Sequence, residues 1–404
     1  MTKIIIDEKK IDEFLTRGVE KIYPTANALR KKLMSGERLR IYQGFDPSGP
    51  YLHVGHAIGI RALRIFQELG HEVIFLVGDY TAKVGDPDKS TARVILSDEV
   101  IKKNMAGWKK QVSQLIDFGG ENPVRFEQNY KWLSELKLND LIKLMSHATV
   151  PQMLARDLFK KRIKEGKDLF LHELLYPLLQ GYDSVAMNVD VEIGGTDQTF
   201  NMLVGRDLCR SYLNKEKFIR ANKMMDAPDG ITMSKTKGNG INLGDGAEDM
   251  YGKAMSYPDS AILNGLELLT DISMDVIKNI EKSLKNGENP MQYKKIMAFE
   301  IVKTIKGAKD AQKAQKNFED TVQKKEIPDE IINYELQITN WKLIDLLIEI
   351  KSAISKSEAR RLVEQGGIKI DGVVIKDINK IVEINKEGIL IQRGKRQFAR
   401  VTKK

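Results

Sequence analysis

The stretch YQGFDPSGPYLHVGH runs from Tyr42 to His56 and holds two of the chain's five histidines, His53 and His56. Residues three apart on a helix share a face. Two imidazoles placed so can donate hydrogen bonds to phosphate oxygens. Gly44 and Gly55 leave room for a flat base or a backbone to approach closely. A metal site asks for a third ligand at suitable spacing, and none accompanies the pair, so no metal is assigned to it. A second candidate is GITMSKTKGN, residues 230–239, with Met233, Ser234, Lys235 and Thr236 at its centre. Ser, Lys and Thr together can cradle a triphosphate, the lysine supplying charge and the hydroxyls donors. No G-x-x-x-x-G-K-[ST] occurs, so this is not a P-loop ATPase. The third candidate is YPLLQGYD, where Tyr176, Gln180 and Asp183 fall on one face of a helix. Such a face could pack in a core. Burying Gln and Asp without partners is costly, which favours a ligand-facing role.

The elements around these residues must position them. LRIYQGFD (39–46) reads as a buried strand, HAIGIRALRIFQELG as a helix with a Gly stop, and HEVIFLVGDY (71–80) as a second buried strand. This β-α-β order predicts a parallel sheet. The two-histidine stretch lies where a strand hands over to a helix, the place where open α/β sheets present ligands. The helix N-terminus there offers free N–H groups and a positive dipole end to phosphate. PVRFEQN (123–129) and VDVEIGG (189–195) are further strands, with a helical insertion between them over about 127–187. Residues 1–37 read as helical. The expected organisation is a Rossmann-like α/β domain over 1–245, a helical domain over 246–325, a linker over 326–340 and a small α+β domain over 341–404.

The net charge is +9, with a pI near 9.2, and it is unevenly spread. From Trp341 to Lys404 there are 15 Lys and Arg against 8 Asp and Glu. That excess in a short terminal segment points to a polyanion, nucleic acid above all. Lys356, Arg360 and Arg361 fall on an expected helix, and Arg393, Lys395 and Arg396 in a later turn; phosphate contact suits them. A single cysteine, Cys209, excludes an internal disulfide. With no apolar run of spanning length and no signal-like N-terminus, the expectation is a cytoplasmic protein with no membrane partner.

HVGH resembles the HIGH motif, and TMSKT the KMSKS motif, of class I aminoacyl-tRNA synthetases. YQGFDPSGPYLHVGH, LVGDYTAKVGDP, YPLLQGYD and IGGTDQ are similar to stretches of tyrosyl-tRNA synthetases. SKSEARRLVEQGGIKIDG resembles the S4-like RNA-binding domain of the bacterial-type members. The resemblance spans most of the chain, in order. It implies a two-step reaction. The tyrosine carboxylate attacks the α-phosphate of ATP, which arrives with Mg²⁺, and the tyrosyl group then moves to the 3′-terminal adenosine of tRNA(Tyr). It assigns His53, His56, Ser48, Ser234, Lys235 and Thr236 to phosphate chemistry. Tyr42 and Asp183 would bond the substrate's phenol, Tyr42 donating and an ionised Asp183 accepting. Asp86, Tyr176 and Gln180 would hold the ammonium, and Gln198 would lie near the carboxylate. Gly44, Asp46, Gly55, Gly195, Asp197 and Met233 would line the nucleotide side. A homodimer built on the insertion is implied as well, with Lys160, Lys161 and Arg162 near the tRNA acceptor stem.

Three positions depart from the family pattern. Thr232 stands where the first lysine of KMSKS would be, and Lys237 or Lys223 could replace its charge. The segment after GDP reads DKSTAR, which leaves Lys89 and Arg93 as pyrophosphate contacts. Gln43 occupies a place where many members carry a small residue. A non-catalytic RNA-binding relative and a small-molecule adenylyltransferase are the alternative readings. The first has only Thr232 in its favour, and the second leaves the tail and the tyrosine pocket unused.

Overall fold

The computed structural model describes residues 3–86, 96–230, 233, 240–320, 331–337, 339–385, 387–394 and 397–403. Contacts divide it into two compact units, 1–245 with 256–306 and 246–255 with 307–404.

The first unit is built on a six-stranded sheet. Its strands are β1 (Val19–Tyr23), β2 (Arg40–Phe45), β3 (Glu72–Val77), β4 (Arg125–Gln128), β5 (Val191–Gly195) and β6 (Phe218–Asn222), in the spatial order β1-β6-β5-β2-β3-β4. All neighbours run parallel except β1 against β6. β3 is buried along five of its six residues, as expected for a strand covered on both faces. The helix Val54–Glu68 follows β2 and buries Ile60, Leu63 and Phe66.

Two strands are absent from the sequence reading. Residues 1–37 are not all helical: the helices Glu8–Thr16 and Ala26–Met34 flank β1. In β1 only Ile22 is buried, the weak signature of a short edge strand. β6 is buried throughout, yet Arg220 and Asn222 break its apolar run. The Arg220 guanidinium is satisfied by the carbonyls of Phe14 (2.8 Å) and Arg17 (2.6 Å).

The helices expected as one domain over 246–325 are shared between the two units. The reason is a set of buried arginines. Arg17 donates to the carbonyls of Leu266 (3.1 Å), Glu267 (2.8 Å) and Thr270 (2.6 Å), and Arg61 to Leu268 (2.8 Å). These are the unpaired C-terminal carbonyls of the helix Ile262–Leu269, so cations suit that end. Burial pushes Arg61 down to about 10 and Arg220 to about 9, still above neutral pH.

In the second unit the helices Ala247–Met255 and Ala308–Phe318 pack together, with the Tyr251 and Phe318 rings 5.4 Å apart. Its strands are β7 (Ile332–Leu336), β8 (Asn340–Lys342), β9 (Ile368–Ile370), β10 (Val373–Ile375), β11 (Ile381–Glu383), β12 (Ile389–Arg393) and β13 (Gln397–Lys403). One sheet runs β10-β9-β12-β13-β7, and β11 pairs with β8. The helices Leu343–Glu349 and Lys356–Glu364 cover an aliphatic core. The linker expected over 326–340 is corrected for Ile332–Leu336, which form β7 and pair in parallel with β13; residues 326–330 lie outside the described residues.

His71 gives a pH test of the fold. It is 1% exposed, and its Nδ1 accepts the Leu39 amide at 3.2 Å, which requires the neutral ring. Burial, aided by the Arg38 charge, lowers its pKa from 6.5 to about 4. The unfolded chain therefore binds this proton first as pH falls. The contribution is complete above pH 6.5 and lost towards pH 4. Denaturant titrations from pH 7 to pH 4 should show stability falling by up to about 3 kcal/mol through this group. His71→Asn should flatten that slope, and an equal slope in the variant would mean other groups cause it.

Candidate active site

The sheet order reverses around β2, which has β5 on one side and β3 on the other. β2 pairs with β3 along its whole length but with β5 only at Ile41 and Tyr42. Beyond Tyr42 the two parallel strands are no longer paired, and the gap between their carboxyl ends is the cleft at which an open α/β sheet of this order takes a ligand. Gly44 lies near the end of β2, and Gly195 ends β5.

The deep end of this cleft is polar and buried. Tyr42 is 1% exposed, and its hydroxyl lies 2.8 Å from Ser184 Oγ. Asp183 accepts from Trp132 Nε1 at 2.7 Å and from Asn129 Nδ2 at 3.1 Å. Burial raises the Asp183 carboxyl well above the usual range, against the pull of those two donors. Burial also raises the Tyr42 hydroxyl, with the charges of Glu192 and Asp183 adding to it.

The middle of the cleft is tied together by carboxylates. Asp46 accepts from the Tyr176 hydroxyl (2.9 Å) and Thr81 Oγ1 (2.8 Å). A Cβ on Gly78 would strike both Asp46 and Thr81, so glycine is needed there. Asp86 accepts from Arg156 (2.7 Å) and Gln198 (2.6 Å). Gln198 also donates to Asp197 at 3.0 Å. Asn201 donates to the side-chain oxygens of Gln180 and Gln198, both at 3.0 Å, and Gln180 donates to Glu192 at 3.1 Å. The three residues read on one face of the Tyr176–Ala186 helix do reach the same cleft. Tyr176 bonds Asp46, Gln180 bonds Glu192, and Asp183 bonds Trp132.

The outer end begins at Ser48, whose amide donates to the Asp46 carbonyl at 2.8 Å, and continues to the Val54–Glu68 helix. The His53 amide donates to His56 Nδ1 at 3.0 Å, and the two rings lie 3.7 Å apart. The backbone after the 230–239 loop pairs with this segment: Val54 donates to the Ile241 carbonyl and Leu243 to that of Leu52. Met233 is buried beside them. A Cβ on Gly55 would come within 3.3 Å of Met233 Cε, and one on Gly240 within 3.1 Å of its Sδ. The two motifs far apart in sequence thus meet through Met233. Gln43 fills space over Gly59, where a Cβ would collide with its amide. Thr232, Ser234, Lys235, Thr236, Lys237, Lys89 and Arg93 lie outside the described residues. Lys223 pairs with Glu267 at 2.9 Å. Among the described residues no group of three or more His, Cys, Asp or Glu is placed to hold a metal ion.

Some basic residues have structural partners. Arg162 is 2% exposed and paired with Glu173 at 2.6 Å, which removes it from any RNA surface; Lys160 and Lys161 are exposed. Arg393 bonds Glu358 (2.9 Å) and the Ser352 carbonyl (2.7 Å). Lys356 pairs with Asp345 at 2.8 Å on the surface, and Arg360 and Arg361 are exposed. Lys395 and Arg396 lie outside the described residues. The sequence reading missed Thr81, Asn129, Trp132, Arg156, Ser184, Glu192, Asn201 and Lys217. No local pattern marks them, because each meets its partner only in the folded chain.

Comparison with known proteins gives the family and the fold. Residues 34–323 match the family model of class I tRNA synthetases (W and Y). Residues 323–401 match the SYY-like C-terminal domain of tyrosine–tRNA ligase. The chain is 44% identical to the tyrosine–tRNA ligase of Thermotoga maritima over 90% of each chain. It is 41% identical to that of Dehalococcoides mccartyi over 97% of this chain and 98% of the other. In fold it is similar to a C-terminally truncated mitochondrial tyrosyl-tRNA synthetase of Aspergillus nidulans (TM-score 0.65, 21% identity, covering 77% of this chain and 93% of that one). The Archaeoglobus fulgidus tyrosyl-tRNA synthetase complexed with L-tyrosine is another such fold (TM-score 0.60, 22% identity, covering 76% and 99%). With a buried Tyr42 at one end of the cleft, the HVGH helix at the other and these matches along nearly the whole sequence, the chain belongs to the tyrosine–tRNA ligases, class I aminoacyl-tRNA synthetases.

Proposed function

We propose that tyrosine is activated in the cleft between β2 and β5, its phenol at Tyr42 and Asp183 and its carboxylate towards His53 and His56. The enzyme's reaction joins tyrosine to tRNA at the expense of ATP. The observation that carries the placement is the position of β2: it ends the buried phenol site at Tyr42 and leads directly to the HVGH helix. Asp86, Tyr176, Gln180 and Gln198 line the stretch between and suit the ammonium and carboxylate. Gly44, Asp46, Gly55, Gly195, Asp197 and Met233 suit the nucleotide.

The chemistry asks the protein chiefly for positioning and charge stabilisation. The carboxylate oxygen forms a bond to the α-phosphorus while the bond to pyrophosphate breaks. His53, His56 and Ser48, at the positive dipole end of the Val54–Glu68 helix, are the donors for the phosphates, with Ser234, Lys235 and Thr236 from the loop. Mg²⁺ enters as part of the ATP substrate, consistent with the oxygen-rich phosphates as its main ligands. Thr232 supplies no charge, so the cationic share falls to Lys235, with Lys237 able to replace the missing charge. A cytoplasmic setting suits the single cysteine.

The insertion exposes Leu138, Ile142, Met145, Val150, Ile163 and Leu171, of which Leu171 is 84% exposed. Such an apolar surface suits burial against a second copy. In the tail, Lys356, Arg360, Arg361, Arg393, Lys395 and Arg396 add positive charge for tRNA, with Arg393 acting mainly through Glu358.

Asp183→Asn should lower kcat/KM for tyrosine about 10- to 100-fold in tyrosine-dependent pyrophosphate exchange, by loss of a charge-assisted bond, and narrow the preference over phenylalanine. Unchanged exchange with both amino acids would place the substrate elsewhere. Leu138→Asp with Ile142→Asp should give a monomer in sedimentation equilibrium; a persistent dimer would move the interface off this surface. A chain ended after residue 320 should still exchange pyrophosphate but charge tRNA poorly. Full charging across salt concentrations would remove the tail from tRNA binding.

A further inference from the structure

Below the phenol end of the cleft lies a polar group that the reaction above leaves without a role. Ser184 and Lys217 are fully buried, and Glu192 is 2% exposed. Lys217 forms an ion pair with Glu192 and donates to Ser184 Oγ at 3.0 Å. Ser184 Oγ lies 3.3 Å from Glu192 Oε2 and 2.8 Å from the Tyr42 hydroxyl. The fold makes room for the ammonium. The helices Tyr176–Ala186 and Thr199–Leu213 cross at Gly181 and Gly205, and a Cβ on Gly205 would lie 2.5 Å from Lys217 Nζ.

An ammonium only donates and a carboxylate only accepts, so Lys217 fills one lone pair of Ser184 and Glu192 can only receive a hydrogen. Either hydroxyl can be the donor in the Tyr42–Ser184 bond, and in both cases that bond holds the Tyr42 hydroxyl in place.

The geometry points to Ser184, Glu192 and Lys217 as a buried relay that orients the Tyr42 hydroxyl and thereby sets how the substrate's phenol is read. The inference rests on the placement of tyrosine argued above. A phenol O–H can donate to one of Tyr42 and Asp183 and accept from the other, whereas phenylalanine can do neither. An ion pair is a costly way to fill a core, and here it holds one hydroxyl in place. The three act through Tyr42 and are positioning residues.

The test is a double-mutant cycle read by pyrophosphate exchange with tyrosine and with phenylalanine. Tyr42→Phe should narrow the tyrosine to phenylalanine ratio of kcat/KM about tenfold, and Ser184→Ala about fivefold. The double variant should be no worse than Tyr42→Phe alone, because Ser184 acts only through that hydroxyl. Lys217→Met combined with Glu192→Gln removes both charges together and should match Ser184→Ala. Should that pair fail to fold, Ser184→Ala, which deletes one oxygen, carries the test. An equal loss for both amino acids in Ser184→Ala, or a loss that adds to Tyr42→Phe, overturns the relay. If Tyr42→Phe narrows the ratio and Ser184→Ala does not, the relay falls and the pocket stands. If Tyr42→Phe itself leaves the ratio unchanged, both fall.

Discussion

The pairing of β2 with β5 stops at Tyr42, and the rest of the site depends on that stop. Parallel strands in mid-sheet normally continue their ladder, covered by helices on both faces. Here the ladder ends where the strand order reverses, so backbone and side chains beyond Tyr42 face a cleft. On the placement proposed above, one short run of chain supplies both ends of the substrate site. Tyr42 closes the deep end, and the amino end of the Val54–Glu68 helix faces the shallow one. Glycine at 78 lets Asp46 stand between them.

A cleft lined by carboxylates must satisfy them. Asp46, Asp86, Asp183 and Glu192 each have partners, and most come from distant segments. Trp132, Asn129 and Arg156 come from beyond β4, within or beside the helical insertion, and Thr81 and Gln198 from the ends of strands. The insertion therefore does more than present a surface. It fixes the orientation of Asp86 and Asp183, two of the groups proposed to face the substrate. Arg156 on Asp86 and Trp132 on Asp183 are buried or half-buried, and losing either would strand a carboxylate.

The parts legible in the sequence are those with local causes. β2 and β3 are apolar runs, the helix after HVGH has the period of an amphipathic helix, and the Gly-bounded motifs mark turns. β1 escaped because an edge strand buries little, and β6 because Arg220 sits in the middle of it. The tail's helices were legible from spacing. The strand Ile332–Leu336 reads as a linker in the sequence because its partner, β13, lies more than sixty residues later. The same physics hid half of the site. Ser184 meets Tyr42 across 142 positions, and Asp86 meets Gln198 across 112. Arg162 reads as a surface cation beside Lys160 and Lys161, and only the fold shows Glu173 beneath it.

The central claim is that the phenol lies at the closed end of the β2–β5 cleft and the reacting phosphate at the HVGH helix. A crystal structure of the full chain with a non-hydrolysable tyrosyl-adenylate analogue tests it most directly. The expected result has the phenol oxygen within hydrogen-bond reach of both Tyr42 and Asp183, and the phosphate mimic within reach of His53 or His56. A phenol ring outside this cleft, or an adenine stacked at Tyr42 in its place, would contradict it.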